Sequence, residues 1–185
     1  MSQIDFNDCP AHGREAALHK AMNILHSRRG AKKPIFVETG TIRNVDWRFS
    51  DGYSTLLFGW YCKKYNGELY TLEIAEDALK LCQQVTEDYK EKINYILGDS
   101  ASSILRLEVD EIDFLYLDSA NDANIVLNEY KAAKHFLHNN SIIVVDDVLK
   151  GKKGQLVGPE MKRDGWNVVT IDSDNGSYLC TKGIV

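Results

Sequence analysis

The sequence predicts a doubly wound α/β fold, a mainly parallel sheet with helices on both faces. Five apolar, β-branched runs each end in an acidic residue, and segments of helical period lie between them. Two further apolar runs follow close together around an Asn-Gly pair. If the five runs are parallel strands buried on both faces, their acids emerge side by side at the carboxyl edge of the sheet, where open α/β folds hold their ligands.

Taken in order, residues 12–29 place Leu18, Met22 and Leu25 on one helix face. The first strand, Ile35–Val37, runs into Glu38, and a second helix over Ser54–Tyr65 carries Leu57, Trp60, Tyr61 and Lys64 in register. The second strand, Leu69–Leu72, ends in Glu73 and leads to a helix over Glu76–Tyr89 with Ala78, Cys82, Val85 and Tyr89 on a stripe. Tyr95–Gly98 runs into Asp99, and Phe114–Leu117 into Asp118. Val126, Tyr130, Ala133 and Leu137 mark a helix over Ala123–His138, and Ile142–Val145 runs into Asp146 and Asp147. Beyond a Gly151–Gly154 loop come a short helix over Val157–Arg163 and the runs Trp166–Ile171 and Ser177–Thr181. The turn between those runs contains Asn175 and Gly176, both of which tolerate positive φ. The reading is seven strands, five parallel and two in a terminal antiparallel hairpin.

A length of 185 residues suits one domain with a real core. The formal charge of −5, with acids gathered at the proposed rim, argues against a nucleic-acid partner. No apolar stretch reaches membrane-spanning length and the start lacks the pattern of a secretory signal, so no membrane partner and a cytoplasmic location are expected. Cys9, Cys62, Cys82 and Cys180 show no paired spacing and read as reduced, packed thiols. His12, His19 and His26 read as a half-exposed helix face rather than a metal site.

Glycines beside a helix start let a ligand approach the backbone, as Gly40 and Gly52 would here. The stretch Thr41–Asp51 keeps them apart, so the tight G-x-G-x-x-G cradle of a dinucleotide site is missing, which counts against an NAD-dependent oxidoreductase. The motifs Val37–Thr41, Asp51–Thr55, Glu73, Gly98–Ser100 and Leu117–Asp118, in this order and spacing, make the chain resemble the class I S-adenosylmethionine-dependent methyltransferases, with their Rossmann-like sheet. The likeness runs from Phe36 to Val148 and includes the hairpin. It implies a single methyltransferase domain over 1–185, with a helical segment (1–33), a cofactor-binding core (34–148), and a loop and hairpin (149–185). It further implies that Gly40 and its neighbours Thr39 and Thr41 lie against the methionine part of the cofactor, with Glu38 helping to hold its ammonium group, and that Gly52, Ser54 and Thr55 also belong to the cofactor site. Glu73 would hold the ribose hydroxyls, Asp99 and Ser100 would lie near the adenine, and Asp118 near the transferred methyl.

Asp146–Leu149 resembles the Asp-Asn-Val-Leu segment of catechol-type and caffeoyl-CoA-type O-methyltransferases. That likeness implies a divalent cation, Mg²⁺ or Mn²⁺, on Asp118, Asp146 and Asp147, activating a substrate hydroxyl. Two positions depart from the pattern: Asn121 stands where the group has its catalytic lysine, and Asp147 where it has asparagine. Asp118, Asp146 and Lys150 are the catalytic candidates, with His135 a further base candidate. Lys150, Lys152 and Lys153 read most simply as a solvated loop, whose position beside the cleft also allows contact with an acidic substrate. Asp51 and Ser54 read as caps of the second helix, and Asp122 as the cap of the fourth. Arg43, Trp47, Arg48, Phe49 and Tyr53 read either as a lid or as loop packing. The resulting expectation is methyl transfer to an oxygen, less readily a nitrogen, of a small molecule. A catalytically inactive cofactor-binding protein is the other alternative, and Val157 with the first helix could support a homodimer.

Overall fold

Alternation within the apolar runs divides the core between two layers. Phe36, Leu69, Phe114, Ile142 and Val144 point to one side of the sheet, while Val37, Leu72, Leu115, Ile143 and Val145 point to the other. The structure is a computed structural model describing residues 3–11, 15–28, 32–47, 53–171 and 175–183. Strands β1 (Ile35–Thr39), β2 (Glu68–Glu73), β3 (Ile93–Leu97), β4 (Ile112–Leu117) and β5 (Leu137–Val145) pair in parallel, and β6 (Asn167–Ile171) and β7 (Ser177–Thr181) form an antiparallel hairpin. The order is β3-β2-β1-β4-β5-β7-β6, so the hairpin docks on β5 through β7.

Helices α1 (Glu15–Arg28), α2 (Ser54–Lys64) and α3 (Glu76–Val85) pack on the first face. Helices α4 (Ser100–Ile104), α5 (Ala123–Ala133) and α6 (Gly154–Arg163) cover the second. No helix among the described residues is long and apolar enough to cross a membrane. All four cysteines are free and buried, and burial pushes the Cys82 thiol up to about 11 and the Cys180 thiol up to about 12.

The helix expected over Ala123–His138 stops at Ala133. Leu137 keeps helical phase with Tyr130 and Ala133, but its apolar side chain serves β5, where it pairs with Ile112. His138 therefore lies in a strand, irregular at this point, and its imidazole meets Asp113 at 3.2 Å. The helix expected over Glu76–Tyr89 ends at Val85, because the Thr86 hydroxyl turns back onto the Cys82 carbonyl (2.7 Å) and a 3-10 turn follows. Helix α4 escapes the apolar pattern because it is a single short turn; Asp99 caps it by accepting the Ser102 N–H at 2.9 Å. At the hairpin turn Gly176 takes a positive φ (+69°).

Strands leave β1 in one direction through β2 and β3, and in the other through β4 and β5, so the order reverses between β1 and β4. Gly40 ends β1 at that point with φ +82°, donating its N–H to the Leu72 carbonyl at 2.9 Å. A Cβ there would stand 2.5 Å from the Asp118 carbonyl oxygen. Gly40→Ala should therefore destabilise the fold by roughly 2–3 kcal/mol through strain and overlap together. Urea unfolding checks this, and an unchanged midpoint would contradict it.

Candidate active site

The carboxyl ends of β1, β2, β3 and β4 open onto a cleft at the reversal point, lined by Gly40, Arg43, Leu72, Glu73, Ile74, Gly98, Asp99, Ser100, Asp118, Ser119, Ala120 and Ile125. Of the residues expected to hold a cofactor, Gly40, Glu73, Asp99, Ser100 and Asp118 line it. Glu38, Thr39, Thr41, Ser54 and Thr55 are not among its lining residues. Gly52 and Asp51 lie outside the described residues, as do Arg48, Phe49 and the side chain of Trp47. Among the described residues, Arg43 alone of the expected lid residues lines the cleft. Tyr53 is packed at 4% exposure, its hydroxyl donating to the Val45 carbonyl at 2.7 Å.

Behind the cleft, Glu38 is fully buried. The Ser54 hydroxyl donates to its Oε1, and the Thr55 and Thr71 hydroxyls donate to its Oε2 at 2.7 and 2.9 Å. Three elements, β1, β2 and α2, are thereby tied to one carboxylate. Ser54 is the first residue of α2 rather than its cap, which is Tyr53. Burial raises the Glu38 carboxyl to about 7; the three hydroxyls pull it down and the charge of Asp118 adds to the rise. Sequence reading missed a second such acid, Glu129 of α5, also fully buried, which accepts from the hydroxyls of Ser100 and, at 3.2 Å, Thr39. Its position three residues after Val126, on the buried stripe, was the available signal. Burial raises this carboxyl too. Asp122 caps α5 as expected, accepting the Asn124 and Ile125 N–H groups.

Within the cleft, the Ala75 N–H fixes one oxygen of Glu73 at 2.9 Å. Ile74 (74% exposed) and Ile125 (41%) give it apolar flanks. Exposed isoleucines beside carboxylates suit a flat, partly apolar ligand with hydroxyls and positive charge.

Asp118, Asp146 and Asp147 converge, each offering an oxygen within 4.8 Å of the others. Asp146 is buried, with its oxygens accepting from Tyr116 (3.0 Å) and Ser177 (2.9 Å) hydroxyls; Asp147 sits at φ +55°. Lys150 and His135, the expected bases, are both exposed, and among the described residues a different basic group stands beside these acids. It is Lys153, whose side chain is only 2% exposed and whose ammonium lies 2.6 Å from Asp118 Oδ1 and 3.7 Å from Asp147 Oδ2. The solvated-loop reading of Lys153 thus fails. Nothing in the Lys-Gly-Lys-Lys-Gly run distinguishes it from its neighbours, and only the start of α6 at Gly154 fixes its direction.

That lysine also bears on a metal. The donor set is all-oxygen, as Mg²⁺ or Mn²⁺ would require. A divalent cation would have to share Asp118 with an ammonium already on it. Single and double charges held about 4 Å apart repel by roughly 8 kcal/mol at an effective dielectric near 20. As arranged, the Lys153 ammonium on Asp118 competes with any divalent cation for that carboxylate, although the three acids themselves form an all-oxygen donor set.

A family model for a methyltransferase domain matches residues 49–148. The chain belongs to the methyltransferase-domain family. An O-methyltransferase of Aspergillus thermomutatus, ankF, is 26% identical over 100 residues, a stretch covering 53% of this chain and only 42% of that relative. The SAH-bound methyltransferase PaMTH1 of Podospora anserina superposes with a TM-score of 0.66 at 17% identity, covering 100% of both chains. A methyltransferase from Geobacter sulfurreducens superposes with a TM-score of 0.61 at 12% identity, covering 89% of this chain and 79% of that one. At these identities the superpositions establish the methyltransferase domain's Rossmann-like fold.

The Glu38 carboxyl gives this methyltransferase domain a pH signature. Its folded value, about 7, exceeds the ordinary 4.5, so between these values the native state binds more protons than the unfolded chain. The group's contribution is greatest below pH 4.5 and declines as pH rises through 7, a loss of about 3 kcal/mol. Glu38→Gln should flatten this decline. Urea titrations of both proteins from about pH 5 to about pH 8 measure the difference, and parallel curves would contradict it.

Proposed function

We propose that this chain transfers the methyl group of S-adenosylmethionine to an oxygen of a small-molecule acceptor. The observation that carries the reading is the cleft at the β1/β4 reversal, where carboxylates from the ends of β2, β3 and β4 meet the glycine turn that ends β1. S-adenosylmethionine supplies a methyl on a cationic sulfonium, so the S–C bond breaks as the O–C bond forms, the electron pair stays on sulfur, and the acceptor hydroxyl gives up its proton to solvent.

The protein's part is alignment and exclusion of water. Glu73, with one oxygen held by the Ala75 N–H, offers the ribose hydroxyls its carboxylate. Ile74 and Ile125 flank the adenine, and Asp99 and Ser100 close that end. Gly40 leaves the backbone open to the methionine moiety, and Asp118 marks the reacting end. Glu38 and Glu129 act one layer back, fixing the hydroxyls of Ser54, Thr55, Thr71, Thr39 and Ser100. The several carboxylates around the cleft complement a ligand with two positive centres. An oxygen acceptor is supported by the similarity to an O-methyltransferase.

Isothermal calorimetry tests the reading. S-adenosylhomocysteine should bind the folded protein, and Glu73→Ala should weaken it on the order of ten- to a hundred-fold through loss of charge-assisted hydrogen bonds. Failure of both S-adenosylmethionine and S-adenosylhomocysteine to bind would end it.

A further inference from the structure

We infer that Lys153 is the built-in cation of the Asp118–Asp146–Asp147 cluster, taking the place of a divalent metal and making methyl transfer metal-independent. The side chain is buried, and its ammonium reaches two of the three acids, at 2.6 and 3.7 Å. Burial of a lysine head requires such compensation, and carboxylates gathered this closely are stabilised by a positive charge beside them. Each need is met by the other.

The loop that delivers the ammonium is fixed from several directions. Val148 and Leu149 donate their N–H groups to the Gly176 and Asn175 carbonyls of the hairpin turn, at 3.0 and 2.9 Å. Gly151 donates to the Asp147 carbonyl at 3.1 Å, and the Lys152 N–H to Asn121 Oδ1 at 2.9 Å. A Cβ on Gly151 would lie 2.3 Å from Asn121 Oδ1, so only glycine allows this close approach. Asn121 therefore serves as a clamp on the strand carrying the lysine. Lys153 acts through the carboxylates, above all Asp118 in the cleft, and is a positioning residue.

The metal-independence of turnover rests on the function proposed above, but occupation of the cluster does not, and the test separates them. Mn²⁺ is titrated without any S-adenosylmethionine, with binding read by electron paramagnetic resonance and by melting temperature. The wild-type protein should take up no Mn²⁺ at the cluster and keep its melting temperature. Lys153→Met, which keeps the length of the stem and removes the charge, should bind Mn²⁺ and gain about 3–6 °C at tenfold excess over the dissociation constant. Adding Asp146→Asn should abolish that gain, and Lys153→Arg should behave as wild type. Mn²⁺ bound by the wild-type protein and lost on Asp146→Asn would overturn the inference. So would a folded Lys153→Met that ignores the metal. If Lys153→Met does not fold, the wild-type titration and Lys153→Arg still decide. In turnover, a chelator should leave the rate unchanged, and a chelator-sensitive rate would overturn the catalytic half.

Discussion

Parallel pairing of β1 with both β2 and β4 is the constraint on which the rest of this structure depends. Parallel strands share one polarity, so each delivers its last residue to the same edge, and five strands deliver acids there without any further device. Register then sets their depth. Thr39 pairs with Leu72 and with Leu117, so Glu73 and Asp118 follow immediately on either side of Gly40. Splaying β1 from β4 would destroy the cleft, since the Asp118 N–H bonds to the Thr39 carbonyl at 3.1 Å and the Gly40 turn rests on the Asp118 backbone.

That edge imposes an electrostatic problem, and the fold resolves it by sorting the acids by depth. Glu38 and Glu129 are withdrawn from solvent and surrounded by hydroxyls, which donate without adding charge. Both carboxyls are shifted upward by burial, which lessens the negative charge crowded behind the cleft. Glu73 and Asp99 remain at the surface of the cleft, and each spends an oxygen on a backbone N–H. Glu73 and Asp99 are therefore the acids of this group that line the cleft itself.

What was legible in the sequence follows from this division. Strand positions and their terminal acids could be read because burial on both faces demands continuous apolar runs, and a run must stop where the chain meets water. The depth of each acid could not be read, because Glu38 and Glu73 both follow apolar runs and differ only in what α2 places above them. The end of α5 was hidden by Leu137, which fits the helical period while serving a strand. Lys153 was hidden for a different reason. A lysine among lysines and glycines looks solvated, and its burial depends on contacts with Asp118 and Asn121, more than thirty residues earlier.

The hairpin, remote in sequence from the residues of the cleft, thereby helps to place Lys153. Strand β7 docks against β5, and the turn before it accepts the N–H groups of Val148 and Leu149, so the chain leaving β5 cannot swing away from the cleft. Tyr178 of β7 presses on α6, where a Cβ at Gly154 or Gly158 would come within 2.9 Å of its ring. Helix α6 is seated by that contact, and Lys153 occupies its N-cap. The position of the ammonium is thus set by the hairpin on one side and by Asn121 on the other. An amine supplied from this loop approaches the acids from the β5 side of the sheet. One supplied from position 121 would approach from the β4 side.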